Sequence, residues 1–415
     1  MSYSVFGKRL STDAAIVDLM ADLGHALNVN PDMLFLGGGN PAHIPEFERL
    51  IAGYLKEIAD DEVLLHRVLG IYQSPQGAES LLESLAAYFQ TLGWPVTEEN
   101  ICVTNGSQSA FFMLINMLAG EGSDGQDRHI CLPLVPEYLG YADQGLHPDS
   151  FLCNKPLVEL IGEHEFRYTV DFENLRIDKN SAAICLSRPT NPSGNVLSKY
   201  DLTRLGSIAD ENAIPLIIDC AYGAPFPNLI YSGESVAWSS NRIYVLSLSK
   251  LGLPGLRTGI VVADPEVIRA LTSANTVLSL ASGNLGPQIL TKMLAAGTLD
   301  RVCKEMLLPF YGNKRQQVLS LLQQHLDGLP YRVHKADGAF FVWLWFKGLP
   351  VSSAELYRRL KSKGVLVMDG EHFFFDQFPD WPHAKECIRL SYCAPEPVLD
   401  QALQILAQEL KSLTW

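Results

Sequence analysis

Short apolar runs rich in β-branched residues alternate with helical patterns between about residues 100 and 290. The runs are apolar throughout, which is typical of strands buried on both faces of a sheet. The predicted strands cover residues 100–104, 129–134, 182–187, 214–219, 242–249 and 258–263. Helical patterns follow the first and third of them, at 107–119 and 198–212. This alternation predicts an α/β fold with a largely parallel sheet.

The pattern changes after residue 300. One long helical stretch, at 299–326, leads to short strand patterns, and a last helix is predicted from about 397 to 412. The strand patterns lie near 331–335, 338–346, 365–368 and 387–392. We therefore predict two domains, a large α/β domain of residues 45–295 and a small α+β domain formed by residues 1–44 and 296–415.

Composition and charge exclude several classes of function. The 415 residues are 47% hydrophobic and 19% charged, which is enough apolar material for large cores. The formal net charge of −14 argues against a nucleic acid or an anionic membrane as partner. The N-terminal segment has no apolar stretch of signal-peptide type, and the densest apolar run, residues 339–346, is too short to span a bilayer. We expect a cytoplasmic protein.

The cysteines and histidines give no sign of a disulfide framework or a metal centre. The eight cysteines are scattered without a C-x-x-C pair, and the ten histidines show no H-x-x-x-H or H-E-x-x-H spacing. We expect reduced, mostly structural thiols and no metal site.

The segment "SLSKLGLPGLRTGI" carries the most informative chemistry in the chain. It places Lys250 in the turn after a buried strand, where burial lowers the pKa of an ammonium and makes the amine nucleophilic toward carbonyls. Hydroxyls of Ser247 and Ser249 and the guanidinium of Arg257 are donors suited to a phosphate dianion. On this segment alone, a strand-end turn with a solvated lysine remains the alternative.

Other polar residues follow neighbouring strands. Gly106 and Ser107 lie between a strand and a helix, an arrangement that aims backbone amides and the helix dipole at an anion. Asn191 falls in a proline-bounded turn, where its amide can donate to a ligand oxygen. Asp219 ends the strand "IPLIID", with Tyr222 three residues later. Because ligands of open α/β sheets bind beyond the carboxyl ends of strands, Asp219 is a candidate partner for a cationic ring nitrogen.

In this order, the motifs resemble those of the fold-type I aminotransferases, which use pyridoxal 5′-phosphate. The D-x-x-Y pair, the S-x-S-K and G-x-R-x-G segment, the N-P-S-G turn and the glycine–serine helix start all match the family. The similarity extends from residue 35 to 350 through strings such as "FLGGGNPA", "PEYLGYAD" and "WLWFKGLP". It implies a mostly parallel central sheet of the seven-stranded type, flanked by helices, plus a smaller α+β domain.

The resemblance also implies which residues hold the cofactor. Lys250 would form a Schiff base with it and later move a proton from the substrate Cα. Asp219 would pair with the protonated ring nitrogen, whereas Tyr222 and Asn191 would hydrogen-bond the phenolic oxygen. Tyr138 would stack on the ring. The residues implied for the phosphate and its surroundings are Gly106, Ser107, Gln108, Ser247, Ser249 and Arg257.

The substrate side of the site is implied in the same way. Arg389 matches the small-domain arginine that binds the substrate carboxylate, and Gly39 would approach that carboxylate with its backbone. Asn191 is implied on the substrate side as well as on the cofactor side. Tyr72 matches a tyrosine that reaches the cofactor phosphate of a neighbouring subunit, which implies a homodimer with shared active sites. Because Lys250 and Arg389 would lie on different domains, we expect the domains to close on the substrate.

The whole-chain resemblance is strongest to a branch of the family that exchanges amino groups between L-valine and pyruvate. It implies a ping-pong reaction giving 3-methyl-2-oxobutanoate and L-alanine, with L-2-aminobutyrate as a further donor. The alternatives are another amino-acid pair, or a lyase or decarboxylase that uses the same cofactor. A non-catalytic amino-acid sensor is less consistent with the charge, and the match leaves no room ahead of it for a DNA-binding module.

Overall fold

The computed structural model describes residues 2–11, 24–26, 30–234 and 236–415. The α-helices are α1 (Val5–Leu10), α2 (Pro45–Asp60), α3 (Glu62–Gly70), α4 (Glu79–Thr91), α5 (Ser107–Leu118), α6 (Lys199–Glu211), α7 (Pro265–Ser279), α8 (Leu285–Ala295), α9 (Thr298–Arg301), α10 (Leu308–Leu326), α11 (Ser353–Ser362) and α12 (Glu396–Ser412). Short 3₁₀ turns cover Glu98–Asn100, Leu139–Tyr141, Pro254–Leu256, Glu371–Phe374 and Pro382–Lys385.

In the described part of the chain, the strands form two large sheets and one small one. They are β1 (Leu34–Phe35), β2 (Ile101–Thr104), β3 (Gly120–Glu121), β4 (Asp127–Leu132), β5 (Phe151–Cys153), β6 (Pro156–Ile161), β7 (Glu165–Val170), β8 (Ser181–Ser187), β9 (Leu216–Asp219), β10 (Arg242–Ser247), β11 (Gly259–Val262), β12 (Arg332–His334), β13 (Phe341–Trp345), β14 (Val365–Leu366), β15 (Met368–Asp369) and β16 (Cys387–Ser391).

The central sheet has eight strands in the order β2-β11-β10-β9-β8-β4, with β3 and β5 both paired to β4. The pairs from β10 through β9 and β8 to β4, and on to β5, are all parallel, whereas β11 is antiparallel to both of its neighbours. Strands β2, β9, β10 and β11 are buried at every residue. Apolar side chains therefore face helices on both sides of the sheet, as the uninterrupted apolar runs predict.

Three neighbouring parallel strands end together at one edge of this sheet. Strands β8, β9 and β10 end at Ser187, Asp219 and Ser247, and Ser187 is the register partner of Asp219. Because parallel strands present their carboxyl ends on the same side, polar groups that are distant in sequence meet at this edge. The edge opens onto the cavity described below.

The second sheet has six strands in the order β15-β16-β13-β12-β7-β6. Its hairpin β6–β7 comes from the middle of the α/β region, and the sequence analysis did not predict it. Strand β7 pairs in parallel with β12 of the C-terminal part, and β1 pairs in parallel with β14. The two-domain division stays a prediction, and part of it falls on residues 12–23 and 27–29, which lie outside the described residues.

The long helix predicted at 299–326 is interrupted. A π-helical turn at Val302–Leu307 connects α9 to α10, and Pro309 lies in the first turn of α10. A proline within a helix lacks the N–H donor, and its ring clashes with the carbonyl four residues earlier. The wider π-turn accommodates the proline, so α9, the π-turn and α10 follow one another without a non-helical break.

Within the described ranges, no helix combines the length and the apolar character needed to cross a bilayer. All eight cysteines are free thiols, seven of them buried and Cys393 half-buried.

Candidate active site

A cavity of about 160 Å³ lies at the carboxyl edge of the central sheet. It brings together ten residues that the sequence analysis had selected, from five separate stretches of the chain. They and the other lining residues are Ser107, Gln108, Phe111, Tyr138, Ser187, Asn191, Asp219, Ala221, Tyr222, Ser247, Ser249, Lys250 and Arg257.

Lys250 projects its amine into this cavity from the turn after β10. Its Nζ donates to the Gly39 carbonyl at 2.6 Å and lies 5.3 Å from the ring centre of Tyr222 and 5.8 Å from that of Phe340. Burial, followed by the charge of Arg389, lowers the pKa of the Lys250 ammonium to about 8. A larger share of this amine than of an ordinary lysine is therefore neutral and nucleophilic near pH 7.

Asp219 lies at the base of the cavity, where the end of β9 places it. One carboxylate oxygen accepts from Tyr141 Oη at 2.6 Å and the other from the Ala221 amide at 2.8 Å. Burial raises the pKa of the Asp219 carboxyl to about 6, although both hydrogen bonds oppose the shift. A buried carboxylate in this environment gains from a cationic partner in the cavity.

Tyr222 presents a hydroxyl without a partner. The residue is 4% exposed, and its Oη has no hydrogen-bond partner among the described residues. A buried hydroxyl that forms no hydrogen bond costs about 1–3 kcal/mol. The cavity wall therefore holds an unused donor, which a ligand oxygen can satisfy.

The N-terminus of α5 and the side chain of Arg257 lie together in the cavity lining and form a candidate anion cradle. Gly106, with a φ of +88°, begins this helix, and a Cβ at that position would lie 2.3 Å from Arg257 Nη2. Arg257 Nη1 also donates to Ser249 Oγ at 3.4 Å. Free backbone amides of the first helical turn, the helix dipole and a guanidinium all favour a bound anion here.

Arg389 comes from the second sheet and lies next to the cavity. It is 2% exposed, and its two Nη atoms donate to Asn191 Oδ1 at 2.6 Å and to the Gly37 carbonyl at 2.7 Å. Its Nε has no partner among the described residues, and burial lowers the pKa of the guanidinium to about 10. The guanidinium lies 4.2 Å from the ring centre of Phe341. A buried guanidinium that is bonded only to neutral acceptors is suited to binding a carboxylate.

Gly39 and Tyr72 differ in their distance from this centre. The Gly39 carbonyl contacts Lys250, and a Cβ on Gly39 would lie 3.4 Å from Nζ, so a larger side chain would crowd the amine. Tyr72 does not line the cavity in a single chain and is 81% exposed.

Sequence reasoning missed two residues around Tyr138. Tyr141 contacts the Tyr138 ring edge-to-face at 5.3 Å and donates to Asp219. Glu137 is fully buried directly before Tyr138. Both stand in the string "PEYLGYAD", and the second tyrosine, three residues after the first, was a signal that the 3₁₀ turn at Leu139–Tyr141 would bring them together.

Comparison with known proteins decides the family. A family model described as "Aminotransferase class I and II" matches residues 152–406, more than half of the chain. The chain belongs to the class I and II aminotransferase family. Enzymes of this family generally depend on pyridoxal 5′-phosphate. The sequence-based family assignment is thereby confirmed.

Full-length relatives agree with this assignment. The chain is 42% identical to the valine–pyruvate aminotransferase of Escherichia coli strain K12 over 99% of this chain and 98% of the relative. The crystal structure of valine–pyruvate aminotransferase AvtA from Salmonella typhimurium LT2 is 40% identical, with a TM-score of 0.88 over 96% of this chain and 98% of that chain. A solved structure from Psychrobacter arcticum 273-4 is 40% identical, with a TM-score of 0.96 over 100% and 99% of the two chains. The fold-type I architecture of this aminotransferase is confirmed.

Proposed function

We propose that this aminotransferase exchanges amino groups between L-valine and pyruvate with pyridoxal 5′-phosphate as cofactor, giving 3-methyl-2-oxobutanoate and L-alanine. The observation that carries the proposal is the convergence of the Lys250 amine, the buried Asp219 carboxylate and the unpartnered Tyr222 hydroxyl in one cavity. The choice of substrates rests on the relatives that match the full chain.

The residues of the cavity suit both the ring and the phosphate of the cofactor. Asp219 supplies a carboxylate for the pyridinium nitrogen, and Tyr222 and Asn191 supply polar groups for the phenolic oxygen. The phosphate would be held by Arg257 and by the α5 N-terminus. The residues proposed there are Gly106, Ser107, Gln108, Ser247, Ser249 and Arg257. When bound, the cofactor supplies an electron-withdrawing ring that makes removal of the substrate Cα proton feasible.

The protein's own groups would do the remaining work. Lys250 Nζ would hold the cofactor covalently, and as a free amine it would accept the proton from the substrate Cα and pass it on. Its pKa of about 8 suits both roles near neutral pH. Asp219 would stabilise a protonated ring nitrogen, and Tyr138 would pack against the ring.

Arg389 would bind the substrate carboxylate. Its two Nη atoms now donate to neutral oxygens of Asn191 and Gly37, and a carboxylate offers a stronger, charge-assisted pair. Gly39 leaves space for that carboxylate beside Lys250. An amino acid with a short apolar side chain, L-valine or L-2-aminobutyrate, would thus be oriented with its Cα beside the Lys250 amine. We propose that the two domains close around it, so that water is excluded before proton transfer.

We also propose a homodimer with shared sites. An exposed apolar surface lies beside the anion cradle, and two hydrogen bonds from Asn284 to the carbonyls of Val68 and Ile71 unite its two segments. The exposed residues of this surface are Leu69, Ile71, Tyr72, Val277, Leu278 and Leu280. A second copy packed here would cover them and bring its own Tyr72 toward this cradle. We further propose that the protein is cytoplasmic.

The direct test is to identify the products by proton NMR after incubating the purified protein with pyridoxal 5′-phosphate, L-valine and pyruvate. We expect 3-methyl-2-oxobutanoate and L-alanine in equal amounts, and none with Lys250→Ala; Lys363→Ala is the matched control, because Lys363 pairs with Glu409 away from the cavity. Release of ammonia or carbon dioxide would instead favour a lyase or decarboxylase. Turnover of other amino-acid pairs but not of valine would keep the reaction class and reject this substrate pair.

A further inference from the structure

Glu137 is a buried carboxyl group that transamination as described above does not use. It is 0% exposed, although ionisable side chains are almost never fully buried without a charged partner. Its three hydrogen-bond donors among the described residues are neutral. Ser187 donates twice, from its amide to Oε1 at 2.7 Å and from its hydroxyl to Oε2 at 2.6 Å, and the Tyr138 amide donates to Oε2 at 3.0 Å.

These donors belong to two walls of the cavity. Tyr138 is the residue proposed to pack on the cofactor ring. Ser187 is the last residue of β8 and the register partner of Asp219, and its carbonyl accepts from Thr190 Oγ1 at 2.9 Å in the turn that leads to Asn191. The Glu137 carboxyl group therefore connects Tyr138 to Ser187 at the end of β8.

The backbone of Glu137 makes a further contact, with a residue outside the cavity lining. Its amide donates to the Phe373 carbonyl at 3.0 Å, and the Phe373 ring centre lies 5.5 Å from the Arg389 guanidinium. Phe373 belongs to the C-terminal part of the chain and is itself fully buried. Glu137 thus connects the cofactor wall to the aromatic surface beside Arg389.

We propose that Glu137 is a positioning residue for this site, fixing Tyr138 and Ser187 through its carboxyl group and Phe373 through its backbone. The proposal rests on the cofactor-binding role given to Tyr138 above. It does not depend on ionisation of Glu137. Each of its two oxygens accepts a backbone N–H, one from Ser187 and one from Tyr138, in either protonation state.

Glu137→Gln tests whether both side-chain oxygens are needed as hydrogen-bond acceptors, and it changes the side-chain volume very little. Whichever way the amide is turned, its NH₂ faces one of the two backbone N–H donors, and that donor is left unsatisfied. We expect the dissociation constant of pyridoxal 5′-phosphate to rise about tenfold. We also expect weaker induced circular dichroism of the bound cofactor, because the Tyr138 ring is less well fixed.

Hydrogen exchange of the cofactor-free protein gives a readout that is independent of activity. In Glu137→Gln, we expect faster exchange in residues 135–141 and 371–375 together, because one residue connects the two segments. Glu409→Gln is the matched control. It is also a buried carboxylate, 3% exposed, but it pairs with Arg359 and Lys363, and none of the three lines the cavity. This control is expected to lower the melting temperature without changing cofactor affinity or exchange at 135–141.

The outcomes separate this inference from the proposed function. If the wild-type protein binds no pyridoxal 5′-phosphate, the proposed function fails, and the inference that rests on it falls too. If the wild type binds it and Glu137→Gln matches the wild type in affinity and exchange, or if Glu409→Gln reproduces the effects, only the inference is overturned. If Glu137→Gln does not fold, Ser187→Ala replaces it. That change removes one hydroxyl donor to Oε2, and we expect the same changes at about a threefold level; no change would overturn the inference.

Discussion

The two large sheets supply the site in different ways. The central sheet delivers its groups from strand ends, because β8, β9 and β10 are parallel neighbours that stop at the same edge. The second sheet delivers Arg389 from the middle of β16, where it pairs with Trp343 and Met368 on either side. The parallel topology by itself brings the polar side chains at the strand ends together. We propose a functional role for this mid-strand arginine because it is buried and, among the described residues, has no charged partner.

This difference predicts a hierarchy of mutational effects. Changes at the strand ends should act on the chemical step, whereas changes at Arg389 should act mainly on substrate binding. The following predictions test that division, from the largest effect to the smallest.

Asp219→Asn should cause the largest loss among the substitutions that preserve shape. The amide still accepts from Tyr141 or Ala221 but has no charge for the pyridinium, so we expect kcat to fall about 10³-fold. Steady-state kinetics with saturating cofactor measures this loss. Asp210→Asn is the control, because Asp210 pairs with Arg242 outside the cavity and should leave kcat within twofold. Equal losses in the two variants would refute the role of Asp219.

Arg389→Lys should lower kcat/KM about 100-fold for both L-valine and pyruvate, mainly by raising KM. Lysine keeps the charge but not the two parallel donors that now reach Asn191 and Gly37. In Arg128→Lys, an exposed ion pair with Asp124 is altered instead, and kinetics should be unchanged. A loss confined to kcat would contradict the division between the two sheets.

The rate at which cofactor-free protein captures pyridoxal 5′-phosphate should depend on pH through Lys250. Because the pKa of this ammonium is lowered to about 8, we expect the rate to fall about tenfold per unit below pH 8 and to level off above it. Stopped-flow absorbance measures the capture rate, and free Nα-acetyl-lysine in the same buffers is the reference. A protein rate that keeps rising to pH 10, as for the free amine, would show that burial does not activate Lys250.

Tyr222→Phe should give the smallest effect. It should raise the stability of the cofactor-free protein but lower its affinity for the cofactor. Removing an unpartnered buried hydroxyl should stabilise the cofactor-free protein by about 0.5–1 kcal/mol while weakening cofactor binding about fivefold. Denaturant unfolding and cofactor titration measure the two quantities. Tyr392→Phe is the contrast, because its hydroxyl already donates to the Ala339 carbonyl at 2.8 Å, so its loss should destabilise the protein. Destabilisation of the cofactor-free protein by both changes would contradict the account of Tyr222.

The same difference between the sheets explains which site residues could be predicted from the sequence and which could not. Residues at strand ends could be predicted, because a buried apolar run that stops at Asp219 or before Lys250 marks its own boundary. The β6–β7 hairpin could not, since its pairing with β12 joins residues more than 160 positions apart. The neighbours of Arg389 were equally hidden, because Phe341 and Phe373 reach it only through tertiary packing. From the sequence alone, Glu137 would be expected at the surface, whereas the structure shows that it is fully buried.

The central claim is that Lys250 and its cavity carry out both half-reactions of valine–pyruvate transamination. The most direct measurement is the visible absorbance of the protein loaded with pyridoxal 5′-phosphate, recorded before and after adding L-valine and then pyruvate. The account predicts a band that L-valine removes and pyruvate restores, and no such band in Lys250→Ala. A band that persists with L-valine, or one that survives in Lys250→Ala, would contradict it.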